Sequence, residues 1–243
     1  RNTADIQQIG GVKWDFVIDV TCYYPESLAE VLLNLNNDLT RYIFISTCSV
    51  YNNENNTSEL RNENAQILTC SSDQRVDQTP QTYGNRKAEC ERILNASGLP
   101  HMIFRPALVY GQYDPTDRLY YWLYQVKKSH TLLLPDYGKR KFSVTYVKDL
   151  VSAISSALDS EASNATYNII SEPQASIEKI TAKAIKLLNK SVQFVNAPPE
   201  FLSQKAISEW TDMPLWINSD HFTYSNQKVR SELGFSPADF EHS

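Results

Sequence analysis

With 243 residues, 42% of them hydrophobic and 21% charged, the chain has the composition of an ordinary soluble globular protein and is long enough for one large core or a core and a lobe. A net charge of −5, with no basic cluster larger than Lys139-Arg140-Lys141, argues against nucleic acid as the main partner. No apolar run approaches the roughly 20 residues that span a bilayer, so no membrane partner is expected and a cytoplasmic location is the simplest reading. The cysteines at 22, 48, 70 and 90 lack CxxC spacing, which indicates neither a metal site nor a disulfide framework.

Residues 12–20 read as the first strand. Trp14, Phe16, Val17, Ile18 and Val20 form a mostly apolar run suited to a buried parallel sheet. Val20, Thr21, Cys22 and Tyr23 come at its carboxyl end, where open α/β sheets bind ligands. Pro25 sets the first turn of a helix with Leu28, Val31, Leu32 and Leu35 on one face. A second strand over 42–46 delivers Thr47 to the same sheet edge, where its hydroxyl either caps a turn or meets a substrate oxygen. Residues 52–81 are polar, with little periodicity. A connection so much longer than about 4–6 residues is either a lid or a mobile surface insertion.

A helix opens near Thr82, buries Ala88, Ile93 and Leu94, and ends at Gly98. It carries Tyr83 and Lys87, four residues apart on one face. An ammonium beside the phenol would favour the phenolate, lower the tyrosine pKa and make Tyr83 a proton carrier near neutral pH. Tyr124, Tyr137 and Tyr224 also have lysine four residues on, but only Tyr83 comes after a strand that ends in hydroxyl residues.

Residues 101–105 form the next strand, and Asp114-Pro115-Thr116-Asp117-Arg118 precedes a helix through Tyr120, Leu123 and Val126, capped by Asp117 or Thr116. Arg118 either binds a phosphate or carboxylate or pairs with Asp114 or Asp117. A strand over 142–146 leads into a helix with Asp149 in its first turn, where the carboxylate suits the helix dipole. A strand over 166–170, a helix over 176–188 and a strand over 192–195 come next. Trp210 and Trp216, either side of Pro214, form a hydrophobic plug or part of a substrate pocket. A last helix, 225–233, stops at Gly234.

Six segments occur in a telling order: Trp14-Asp15-Phe16-Val17-Ile18-Asp19, Ser46-Thr47-Cys48-Ser49-Val50-Tyr51, the Tyr83/Lys87 pair, Phe104-Arg105-Pro106-Ala107-Leu108-Val109-Tyr110-Gly111, Asp114 to Arg118, and Tyr146-Val147-Lys148-Asp149-Leu150. In this the chain resembles an extended short-chain dehydrogenase/reductase of the NAD-dependent epimerase/dehydratase family. The resemblance implies an α/β fold, a Rossmann-like doubly wound parallel sheet with a smaller C-terminal substrate-binding lobe. Residues 1–115 and 142–170 would form the dinucleotide domain, 116–141 an insertion belonging to the lobe, and 171–243 the lobe itself.

It further implies NAD or NADP as cofactor, near Val20, Thr21, Cys22, Ser46, Tyr83, Lys87, Pro106, Ala107 and Val109. Thr47, Tyr83 and Lys87 would be catalytic, and Thr47, Ser49, Arg118, Trp210 and Trp216 would face a sugar nucleotide or a related hydroxyl or keto compound. The seven glycines form no Gly-rich phosphate loop, which the family carries between its first strand and first helix, so the loop is expected upstream of Arg1. Where dehydrating members have an acidic pair this chain has Cys48 and Ser49, which disfavours water elimination. A homodimer is compatible with the resemblance. The rival expectation is a non-catalytic, RNA-associated protein like the chloroplast stem-loop-binding proteins.

Overall fold

The apolar runs pair side by side into a parallel sheet because helices in the connections between them cross back over it. The structure, a computed structural model, describes residues 3–35, 38–53, 60–217, 222–240 and 243. The chain opens with α1 (Thr3–Ile9), β1 (Phe16–Asp19), α2 (Pro25–Asn34), β2 (Arg41–Ile45), α3 (Ser72–Val76), α4 (Tyr83–Ala96) and β3 (His101–Pro106). Then come β4 (Leu108–Tyr110), α5 (Arg118–Lys128), β5 (Thr131–Pro135), β6 (Phe142–Tyr146), α6 (Val147–Asp159) and β7 (Ala165–Ile169). The rest is β8 (Glu172–Ala175), α7 (Ile177–Leu188), β9 (Gln193–Ala197), α8 (Pro199–Gln204) and α9 (Gln227–Leu233).

The main sheet has the order β1-β2-β3-β7, all parallel, with Ile18, Ile43, Met102 and Ala165 in one row across it. Alternation along β2 decides what lies on each face. Tyr42 and Phe44 pack with Leu28, Val31, Cys90 and Leu94 from α2 and α4. Ile43 packs on the other face with Ala153 and Ala157 of α6 and Val229 of α9. Helices on both faces of a parallel sheet are the doubly wound arrangement expected from the sequence.

A second sheet, β4-β6-β8, and a third, β5-β9, lie beyond it. Their core gathers Trp122, Val126, Leu132, Leu134, Ile180, Ala184, Leu202 and Trp216. This lobe does not take the whole of 171–243. β8 pairs antiparallel with β6, Tyr224 stacks on Tyr51, and α9 with Phe235 covers the main sheet, because 222–235 runs back to close its second face.

Two other expectations change. The first strand is shorter than 12–20, and it is the last in the order of the main sheet, with Ile18 43% and Val20 56% exposed. Within 52–81, residues 54–59 lie outside the described residues, and the stretch from Leu60 onward is anchored rather than a loose insertion. Arg61 is 1% exposed beside the stacked rings of Tyr51 and Tyr224, and Ile67 bridges Tyr51. A capping box at Ser71 and Gln74 closes the start of α3.

Candidate active site

Three parallel strands end side by side, and the backbone beyond each end is held by short hydrogen bonds. After β1, the Asp19 carboxylate accepts from the backbone N–H of Thr21 and Cys22, each at 3.1 Å, and from the Tyr42 phenol at 2.6 Å. After β2, Thr47 caps a short 3₁₀ turn over Cys48–Val50, its hydroxyl accepting from the Ser49 N–H at 3.1 Å and donating to the Ser49 hydroxyl at 3.2 Å. After β3, the Ala107 N–H donates to the Thr145 hydroxyl at 2.9 Å.

Helix α4 comes down onto these ends, and Gly84 lets it. A Cβ at Gly84 would lie 2.2 Å from the Ser49 carbonyl oxygen and 3.0 Å from a Leu68 methyl. Tyr83, next to it, is hydrogen-bonded to the Thr47 side chain. One turn on, the Lys87 ammonium donates to the Cys22 carbonyl at 2.8 Å and the Ile45 carbonyl at 2.6 Å, and lies 4.0 Å from the Phe44 ring centre. Lys87 is 2% exposed, and burial brings its pKa down to about 8.

The electrostatics correct one expectation. Burial, with the neighbouring Tyr23 phenol, pushes the Tyr83 pKa up to about 12, offset in part by the hydrogen bond with Thr47. Lys87 is not among the main causes of that shift; its ammonium is hydrogen-bonded to two backbone carbonyls. At neutral pH Tyr83 is therefore protonated, a proton donor first.

Tyr23, which the sequence set at the ligand-binding edge without a role, is part of this cluster. Its ring centre lies 5.9 Å from that of Tyr83 and 5.7 Å from the Lys87 ammonium, and it is 48% exposed. Only its place just after β1 drew attention to it in the sequence.

The remaining predicted site residues separate. Val20 and Thr21 are exposed beside buried Cys22, and Ser49 is half-buried beside Thr47. The Ser46 hydroxyl turns inward, donating to Glu91 at 2.5 Å. Pro106 and Ala107 stay at the end of β3, while Val109 lies opposite Thr145 in the second sheet. Arg118 pairs with neither Asp114 nor Asp117. It donates to the Thr116 hydroxyl at 2.8 Å and the Val109 carbonyl at 3.2 Å, since Thr116 is folded back onto Asp114. Asp117 holds the cap position of α5 without a side-chain cap bond, its φ of 51° turning the carboxylate away from the helix end. Trp216, 4% exposed, is part of the lobe core, whereas Trp210 packs edge-on against Phe222. Of the two tryptophans, Trp216 is thus a plug.

The fold has many solved counterparts. UDP-glucose 4-epimerase from Thermotoga maritima, solved with UDP-glucose, is 16% identical with a TM-score of 0.72, over 99% of this chain and 78% of that one. UDP-glucuronic acid 4-epimerase from Bacillus cereus, in complex with NAD, is 19% identical with a TM-score of 0.68, over 99% and 74%. dTDP-4-dehydrorhamnose reductase from Bacillus anthracis, in complex with NADP, is 16% identical with a TM-score of 0.70, over 99% and 83%. At these identities the likeness is one of fold.

Among curated proteins, the chloroplast stem-loop binding protein of 41 kDa b from Arabidopsis thaliana is 26% identical over 231 residues, 92% of this chain. This chain spans 55% of that relative's length. Residues 10–169, which hold the β1 to β7 sheet and the Thr47, Tyr83 and Lys87 cluster, match the model of one family: the chain belongs to the NAD dependent epimerase/dehydratase family.

Proposed function

We propose that the protein is an NAD(P)-dependent epimerase or reductase of the extended short-chain dehydrogenase/reductase type. Its substrate would be a sugar nucleotide or a related hydroxyl or keto compound, and Tyr83 its acid/base. The observation that carries this reading is the meeting of the Thr47 hydroxyl, the Tyr83 phenol and the Lys87 ammonium at the carboxyl edge of a parallel sheet.

The donors present suit the nicotinamide–ribose end of a dinucleotide. Two ammonium protons of Lys87 go to Cys22 and Ile45, which leaves the third for a ribose hydroxyl, and Val20 and Thr21 offer exposed surface alongside. When bound, the cofactor supplies the hydride chemistry. Tyr83 gives its phenolic proton to a substrate ketone oxygen, or takes one from a hydroxyl, and Thr47 donates a hydrogen bond to the same oxygen without changing charge. A raised phenol pKa keeps the proton on Tyr83 until a substrate oxygen arrives. Cys48 and Ser49 supply no acid and base for eliminating water, so the chemistry stops at proton and hydride exchange. The sugar-nucleotide class is supported by the UDP-glucose and UDP-glucuronic acid epimerases that share the fold.

In the full-length protein, Tyr83→Phe is expected to lower turnover by about 10²- to 10⁴-fold while calorimetric titrations with NAD and NADP remain as in the wild type. Retained turnover removes Tyr83 from the reaction. The same titrations identify the preferred cofactor. A second reading is favoured by the curated relative, whose name records stem-loop binding. RNA affinity that falls steeply with salt, in a protein that binds neither dinucleotide, would put that reading first.

A further inference from the structure

Behind the Thr47 and Tyr83 side chains lies a buried polar cluster to which the acid/base chemistry assigns no task. Glu91 is 1% exposed and comes after Tyr83 and Lys87 at four-residue steps along α4, on the same helix face. Its carboxylate accepts three hydrogen bonds, from the Ser46 hydroxyl at 2.5 Å, Arg105 Nε at 3.0 Å and Arg105 Nη2 at 2.5 Å. Ser46 immediately precedes Thr47, and Arg105 immediately precedes Pro106 and Ala107. One carboxylate thereby ties the ends of β2 and β3 to the helix that carries the phenol and the ammonium.

The cluster is braced from behind. Arg105 Nη1 donates to the Tyr51 phenol at 2.9 Å, and that phenol donates to the Asn168 side-chain oxygen on β7 at 2.6 Å. Cys48 Sγ lies 3.2 Å from the Arg105 carbonyl oxygen, to which it donates. Desolvating a carboxylate and a guanidinium costs several kcal/mol each, and a well-packed apolar pair of the same volume often stabilises a fold as well or better. What an apolar pair lacks is direction. A carboxylate oxygen 2.5 Å from the Ser46 hydroxyl selects one rotation of that residue, and with it the course of the chain into Thr47.

We propose that Glu91 is a positioning residue of this site, which through Ser46 and Arg105 fixes the Thr47 hydroxyl against the Tyr83 phenol. The inference rests on the acid/base reading of Tyr83. Displacements of about 1 Å at a reacting group can cost roughly 10²-fold in rate, so small losses of alignment register in turnover. They register also in the phenol itself, because the Thr47 hydrogen bond lowers its pKa.

The test uses the full-length protein and two variants that differ in severity. Ser46→Ala removes one hydrogen bond and leaves the ion pair intact; Glu91→Gln keeps the volume and an acceptor but removes the charge. For Ser46→Ala, kcat is expected to fall about 10- to 100-fold with the cofactor dissociation constant unchanged. Its pH–rate profile for hydroxyl oxidation moves to higher pH, and so does that of Glu91→Gln. In cofactor-free protein with isotope-labelled tyrosine, the NMR signal that disappears in Tyr83→Phe shifts in both variants.

A purely structural brace would lower Tm and leave kcat, the pH profile and the Tyr83 signal as in the wild type. That outcome, with Tyr83→Phe inactive, overturns the positioning role alone. Turnover surviving in Tyr83→Phe overturns the acid/base reading, and this inference with it.

Discussion

Lys87 keeps a charged group almost out of water, and that has a price in stability that pH reveals. Its folded pKa of about 8 lies below the ordinary 10.5, so between those values the unfolded chain binds more protons than the folded one. The Lys87 contribution to stability therefore rises with pH across that window, opposed by the buried Cys48 and Cys90 thiols, whose pKa values are raised above the ordinary 9 on folding. Below it, the ammonium is desolvated at a cost; above it, the amine is neutral in both states. Tyr83 acts in the opposite sense, but only above its ordinary value of 10, where the unfolded phenol starts to ionise and the folded one does not. Between about pH 8 and pH 10, Lys87 should add about 2–3 kcal/mol to the free energy of unfolding, read in urea titrations as the gain of the wild type relative to Lys87→Met across that window. An equal rise in the variant would assign it to another group. The Thr47, Tyr83 and Lys87 spacing was legible because it obeys helix and strand geometry within short stretches. The roles of Glu91, Arg105 and Tyr23 were not, since each is met by a partner far away in the chain: Glu91 by Ser46 and Arg105, and Tyr23 by Tyr83.

Helix α4 shows how an element is fitted to its site. Its first turn touches the 3₁₀ turn after β2 so closely that only glycine fits at position 84. Gly84→Ala must push the helix start off the Ser49 carbonyl, at a cost of about 1–3 kcal/mol by overpacking. The same shift moves Tyr83 from Thr47, so turnover should fall together with Tm. A variant with a lower Tm and unimpaired turnover would show that the site tolerates the displacement. Strongly periodic elements were readable in advance: Phe142 to Tyr146 has the predicted bounds, and Ser176 caps α7 through the Lys179 N–H. The short strands β4, β5 and β8 were not, because runs of three to five residues are stabilised by the strand beside them more than by their own pattern. The cap of α5 was misjudged for a local reason: the Asp114 carboxylate already holds the Thr116 hydroxyl and N–H, and Asp117 adopts a left-handed conformation.

At the scale of the molecule, one buried carboxylate ties the C-terminal stretch to the rest, in addition to the packing of Val229 and Phe235 on the main sheet. Asp149, 6% exposed at the start of α6, accepts from the Ser171 hydroxyl at 2.5 Å and from the Ala238 N–H at 3.1 and 3.2 Å. It does more than complement a helix dipole, which was its expected role. Asp149→Ala leaves both donors without their acceptor and should cost about 2–3 kcal/mol, or a Tm lower by about 5–10 °C. The loss should be read by calorimetry alongside tryptic cleavage at Lys228 and Arg230; a Tm within about 1 °C of the wild type would mean that water replaces the carboxylate at little cost.

The sequence by itself determined the α/β class and the order of the main helices and strands, and it pointed to Thr47, Tyr83 and Lys87 as the set to propose. Each of these comes from periodicity and spacing along short stretches, or from a resemblance carried by such stretches. Tertiary structure alone decided the protonation of Tyr83, the inward turn of Ser46, the burial of Trp216 and the return of 222–235 to the main sheet. Those depend on burial and on contacts between residues distant in the chain, where a carbonyl, carboxylate or ring brought in by folding determines what each side chain can do.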